Sequence, residues 1–148
     1  MSERSRYTPT VVSSDITVFK FTSSGPKGEI KKVIQFSKTK VNNLFVLAFG
    51  NISEDGTIDD TTINDNKDRN KILATVASAV YRFTEFYPER YIFFTGNNLQ
   101  RTRLYGMALT VNYNELGEVF TIWGLRKDGK FELFKSQHNY IGFLIKRK

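Results

Sequence analysis

Residues 91–109, YIFFTGNNLQRTRLYGMAL, decide how this chain folds. Tyr91 to Phe94 form an apolar run with strand character; Gly96, Asn97 and Asn98 then supply turn chemistry, and helical spacing begins at Leu99. A strand that turns through Gly and Asn into a helix leaves backbone N–H groups at the helix start. Arg101 and Arg103 lie in the opening turns, where a positive charge opposes the helix dipole. The pattern therefore predicts an acidic partner or an anionic ligand nearby.

Upstream, the apolar residues Ile72, Val76, Ala79, Val80, Phe83 and Tyr87 recur at spacings of three and four, which predicts a helix over 68–87. Asp65 or Asn66 is positioned to cap it, and Pro88 forbids continuation. Residues 16–23 and 29–37 are β-rich and joined by Ser24, Gly25, Pro26, Lys27 and Gly28, which predicts a hairpin. In its second strand Ile30, Ile34 and Phe36 share one face, with Lys31, Val33 and Gln35 on the other. Leu44 to Phe49 is apolar at both parities, as a central strand requires. Residues 53–68 are an acidic, turn-forming loop, with Asp55 and Gly56 as a tight turn.

After the strand at 91–95, a second helix is expected over 99–112, with Leu104, Met107, Ala108 and Val111 packing inward. Residues 118–125 and 130–135 predict a second hairpin across Arg126, Lys127, Asp128 and Gly129. Residues 139–145 read equally as a last strand or a short helix. The order β-β-β-α-β-α-β-β indicates an α+β protein with two helices on a mainly antiparallel sheet.

The 148 residues fit a single domain, 1–148, large enough to bury a core without staples. There is no cysteine, so disulfides, thiol nucleophiles and Cys-based metal sites are excluded. Residues 1–15 are polar and lack an apolar leader, so they are expected to be flexible. No stretch is long enough to span a membrane, and a cytoplasmic protein is expected. The net charge of +7 is uneven: two basic segments, 1–50 and 101–148, flank the acidic residues 51–70. They make a phosphate-binding face only if they converge in space.

Several constellations are candidate sites. Counting about 100° per residue from Arg101 puts Tyr105 about 40° away, bordering the buried stripe, and Arg103 about 200° away. Gly96, Asn97, Asn98, Arg101, Arg103 and Tyr105 thus form a possible anion pocket. The competing reading pairs Arg101 with Asp59 or Asp60 for structural reasons. Arg69, beside Asp68 at the start of the first helix, repeats the dipole anomaly and would place both helix starts beside one polar site. Its plainer reading is a solvated residue or a surface pair with Asp65 or Asp59.

The acidic residues Glu54, Asp55, Asp59, Asp60, Asp65 and Asp68 do not match the spacing of a calcium loop, so no metal and no cofactor are expected. Asp15 followed by Glu29 and Lys31 offers a weak metal-dependent nuclease pattern, set against an ordinary solvated hairpin. His138, the only histidine, sits between Gln137 and Asn139 as a polar turn residue. Lys20, Lys31, Lys32, Lys38, Lys40, Arg126, Lys127, Lys130, Lys135, Lys146, Arg147 and Lys148 are interleaved with Phe19, Phe21, Phe36, Trp123, Phe131 and Phe134. A sheet that exposes aromatics among basic groups stacks bases and neutralises phosphates, although most of these rings are expected in the core.

The stretch Asp68, Arg69, Asn70, Lys71, Ile72, Leu73, Ala74, Thr75, Val76, then Pro88, then Phe94, Thr95, Gly96 and Arg101 to Tyr105 resembles the signature of a family of short uncharacterised bacterial proteins, chiefly from Bacteroidetes. In that pattern Ser or Thr is expected where Asn97 and Asn98 stand. The resemblance implies no activity and adds no catalytic residue. The expected function is binding rather than catalysis, with an anionic partner, either nucleic acid or an acidic protein surface. Self-association into an oligomer is the close alternative and a metal-dependent nuclease the third.

Overall fold

A computed structural model describes residues 6–53, 55–59 and 66–148, which form two compact units. The first unit comprises residues 1–37 and 47–86, the second residues 38–46 and 87–148.

In the first unit β1 (Thr10–Val11) pairs antiparallel with β2 (Val18–Gly25), which forms a hairpin with β3 (Gly28–Lys38). Pro26 and Lys27 make the two-residue turn, and Gly28 takes the left-handed φ of 85° that closes it. β3 neighbours β4 (Leu44–Ile52), whose end pairs with the short β5 (Ile58–Asp59) around the Asp55–Gly56 turn. β2 alternates strictly, with Phe19, Phe21 and Ser23 buried and Lys20, Thr22 and Ser24 exposed.

The buried side meets α1 (Arg69–Phe86), where Phe36 stacks on Phe83 with centroids 4.1 Å apart. α1 presents Thr75, Ala79, Val80, Phe83 and Thr84 inward, whereas Ile72 and Val76 are only half-buried. Thr75 and Thr84 can line the core because their hydroxyls donate to the carbonyls of Lys71 and Val80 in the preceding turn, both at 2.7 Å. Lys32 shares the Ile34–Phe36 face and is buried, its Nζ 2.5 Å from Asn51 Oδ1.

α1 starts two or three residues later than the capping expectation. Ile72 N–H donates to the Asp68 carbonyl, so Asp68 occupies the cap position, while Asn66 turns to the hairpin instead. Asn66 Nδ2 donates to Ser23 Oγ (3.1 Å) and to the Gly28 carbonyl (2.9 Å), and its Oδ1 accepts from Lys27 N–H (2.6 Å). Gly25 permits this approach, since a Cβ there would run into the Asn66 carbonyl oxygen. The Asp68 carboxylate accepts from Ser23 Oγ (2.5 Å) and the Tyr7 hydroxyl (2.6 Å), tying the N-terminal arm to the same point.

In the second unit the opening residues of β4 pair in parallel with β6 (Tyr91–Phe94). β6 pairs antiparallel with β9 (Gly142–Arg147), β9 with β7 (Phe120–Leu125), and β7 with β8 (Phe131–Leu133). α2 (Leu99–Val111) and α3 (Tyr113–Val119) pack on the side of Phe94, Phe134 and Phe143.

Among the described residues there are thus three helices and nine strands, in the order β-β-β-β-β-α-β-α-α-β-β-β, where two helices and six strands were expected. Mixed α+β character and a mostly antiparallel sheet hold. The extra strands β1 and β5 are two residues each, too short to show periodicity, and α3 carries Asn114 and Gly117, both poor helix formers. The ambiguous segment at 139–145 is a strand, moved to Gly142–Arg147.

The inner face of α2 also differs from the expected stripe. Thr102 and Leu109 are buried, while Met107 and Val111 are 58% and 82% exposed. The reason is Gly106, which lets the helix approach the Phe143 ring so closely that a Cβ would lie 3.2 Å from it. That contact selects positions 102, 105, 106 and 109 as the packing side.

Asn66→Ala removes a buried side chain that bonds the Lys27 N–H, the Gly28 carbonyl and Ser23 Oγ. A loss of about 1–3 kcal/mol is expected, read as a melting temperature about 3–10 °C lower in thermal denaturation. An unchanged melting temperature would show that the clamp contributes nothing.

Candidate nucleic-acid interface

The turn from β6 into α2 is built by side chains that hold their own backbone. Asn98 is extended at φ −152° and caps α2, its Oδ1 accepting from Arg101 N–H at 2.8 Å. Thr102 Oγ1 accepts from Gly96 N–H (3.1 Å) and donates to the Asn98 carbonyl (3.0 Å). Thr95 Oγ1 donates to the Ile141 carbonyl at 2.8 Å. The backbone N–H of Arg101, one of those at the start of the helix, therefore serves the cap.

Gly96 is pressed against the helix, where a Cβ would sit 2.5 Å from Arg101 Cβ and 2.6 Å from Thr102 N. Arg101 is half-buried and engaged, Arg103 and Asn97 are exposed, and Tyr105 meets Phe94 edge-on at 6.0 Å. Arg69 opens α1 in the first unit and is exposed, beside the Asp68 carboxylate already taken by Tyr7 and Ser23.

Glu54, Asp60 and Asp65 lie outside the described residues. Among the described residues no three His, Cys, Asp or Glu side chains come together as a metal set. Asp15 precedes β2 and caps its own turn through Thr17, whereas Glu29 pairs with Ser24 at the far end of that strand. The six strand steps from Val18 to Ser24, at about 3.3 Å each, put Glu29 roughly 20 Å from the start of β2 and Lys31, opposite Thr22, roughly 13 Å from it, so the hairpin does not bring Asp15 to Glu29 and Lys31.

Of the six aromatics interleaved with basic residues, Phe19, Phe21, Phe36 and Phe134 are buried. Trp123 and Phe131 are not. β7 alternates with Phe120, Ile122 and Gly124 buried on the helix side and Thr121, Trp123 and Leu125 half-exposed on the other. Strand pairing extends this second face into rows: Val46, Phe93, Leu144, Trp123 and Leu133 are successive register partners across β4, β6, β9, β7 and β8.

Gly142 shapes the face. A Cβ there would lie 2.5 Å from the Phe93 ring, so its absence lets Phe93 cross β9 and meet Phe131 edge-on at 6.4 Å. Beside it Tyr91 and Trp123 pair at 6.0 Å, with Lys146 Nζ 5.8 Å from the Tyr91 centroid. Phe131 and Leu133 at the β8 edge are 48% and 62% exposed.

The single acidic residue of β8, Glu132, points to the helix side. There it accepts from the Tyr140 hydroxyl at 2.7 Å, with His138 and Arg126 nearby. This hydrogen bond, first, holds the Glu132 carboxyl below its usual range, while burial and then the same bond push the Tyr140 phenol up.

Charge divides sharply between the two units. The first carries 10 basic and 10 acidic residues, and the second carries 12 and 5, so the whole chain's excess of +7 belongs to the second. Sequence position alone hid this, because Lys38 and Lys40 belong with 87–148 rather than with the strands they follow.

The second unit thus combines a half-open aromatic sheet face with the chain's excess of basic residues. The chain belongs to the Family of unknown function (DUF6934), whose model matches residues 3–148. No curated protein and no solved structure matches it. No helix among the described residues is long and apolar enough to cross a membrane.

Two outcomes follow for the polar contacts. Gly96→Ala is expected to lower the melting temperature, because backbone and not a flexible side-chain tip blocks the added methyl; an unaffected protein would mean that the turn can open. Tyr7 is also raised, by burial first and then by its bond to Asp68. Folded-state values above the ordinary 10.0 mean that both phenols contribute stability fully present below pH 10 and lost as pH rises beyond it. Thermal melts across that window should show a shallower alkaline decline in Tyr7→Phe and in Tyr140→Phe than in the parent chain.

Proposed function

We propose that the chain is a binding module for an anionic partner, a nucleic acid backbone in preference to an acidic protein surface. The observation that supports this reading is the segregation of charge: the entire excess of +7 falls on the unit whose sheet face carries exposed aromatics. With the first unit neutral, the long-range attraction for an anion comes from the second.

Lys127 and Lys130 lie in the β7–β8 turn, while Lys146 and Lys148 lie at the end of β9. If each neutralises one phosphate of a single strand, affinity falls about 50-fold between about 50 and 200 mM salt. Fluorescence anisotropy of a labelled mixed-sequence oligonucleotide reads this slope. Lys130→Gln with Lys146→Gln should weaken binding and flatten the salt dependence, whereas Lys20→Gln with Lys31→Gln in the first unit should do neither. Absence of binding at low salt, or binding indifferent to salt, would overturn the reading.

A second reading, self-association, is favoured by one feature: β8 stands at the end of the strand order and exposes Phe131 and Leu133. Solution mass by light scattering decides it; a concentration-independent monomer removes it.

A further inference from the structure

The second unit's sheet face has a composition that specifies more than a negative charge. Strand alternation turns twelve positions of β4, β6, β9, β7 and β8 to this side, and none is a carboxylate. Four are aromatic, arranged as two ring pairs that both bridge β9, Tyr91 with Trp123 and Phe93 with Phe131. Basic groups sit at the two ends of the strands: Lys127 and Lys130 beyond Leu125, and Lys146 beside Tyr91 with Lys148 just past the end of β9. The middle is apolar and the ends are cationic.

We propose that this face, built on Trp123, Phe131, Phe93 and Tyr91 between two basic ends, stacks the bases of a single-stranded nucleic acid. The inference rests on the anionic-partner reading and narrows it. An acidic protein surface would meet the lysines but would gain little from four half-exposed rings. A duplex keeps its bases stacked on each other, beyond the reach of a flat sheet. A single strand offers an unstacked π-face for each ring together with a phosphate for each cationic end. Phe131 and Trp123 are the side chains expected to carry the contact: the first is 48% exposed, and the second shares a row with the exposed Leu133.

Trp123 is the only tryptophan of the chain, so its fluorescence reports directly on the face. The experiment titrates the full chain at low salt with three probes: oligothymidylate of about 15 nucleotides, near the upper site size of one binding fold, a duplex of the same length, and polyglutamate. The expected result is quenching of Trp123 by the oligothymidylate, with weaker binding of the duplex and none of polyglutamate. Phe131→Ala and Phe131→Leu should each weaken the single strand about five- to tenfold, at the low end of alanine effects on stacked bases, because leucine keeps apolar area but has no ring to stack. Melting temperatures of the two variants confirm that they fold.

Several results overturn the inference. One is binding of oligothymidylate with no change in Trp123 emission and no loss in either Phe131 variant, which would leave the anionic-partner reading standing but place the contact elsewhere. Another is equal or tighter binding of duplex or polyglutamate through the same face. A fall in solution mass in Phe131→Ala would show that the face joins two copies of the chain. If the oligonucleotide does not bind at all, both this inference and the broader reading fail.

Discussion

The period of two along β7 and β9 is the constraint on which the second unit depends. Each strand must give alternate residues to the layer under α2 and α3 and to the opposite side. β7 does this with Phe120, Ile122 and Gly124 on one side and Thr121, Trp123 and Leu125 on the other. A slip of one residue would drive Trp123 beneath the helices, where Gly124 now makes room for Tyr140, and would turn Ile122 outward. Register is therefore held by steric fit on the covered side, and the arrangement of rings on the open side follows from it. The open face is thus positioned by packing that it does not itself supply.

Polar contacts do the corresponding work in the first unit. Asn66, Asp68, Ser23 and Tyr7 converge where the arm, the hairpin and the start of α1 meet, and Ser23 and Asn66 are buried there with their hydrogen bonds made. A buried polar group that lost its partner would be costly, so the convergence specifies one arrangement of three chain segments more narrowly than apolar contact would. The Phe36–Phe83 stack supplies the apolar contact between sheet and helix that accompanies it.

Much of this was legible in the residues. The two hairpins, the long helix ended before Pro88, and the strand–turn–helix at 91–109 follow from alternation, helical spacing and turn chemistry. What escaped depends on partners distant in sequence. Thr75 and Thr84 count as polar in any periodicity, yet they line the core because the helix backbone satisfies them. The packing side of α2 was misplaced because Gly106 carries no hydrophobic signal, and its role exists only once Phe143 lies opposite. Arg101 drew attention by opposing a dipole, but local capping by Asn98 and Thr102 explains the turn's geometry, and no sequence spacing distinguishes the two. Trp123 and Phe131 could be singled out from six aromatic candidates only when register showed which side each one faces.

β9 lies between β6 and β7 although 16 residues separate it from the end of β7 and 47 from the end of β6. Until residues 142–147 arrive, β6 and β7 each present a bare hydrogen-bonding edge, and neither can find the native partner of that edge locally. The order of assembly is set accordingly: β7 and β8 can zip first as a hairpin, while completion of the sheet waits for a late insertion that closes two edges at once. Such an intermediate is open to pairing with a strand of another molecule, which makes the arrival of that one segment the step at which productive folding and aggregation part.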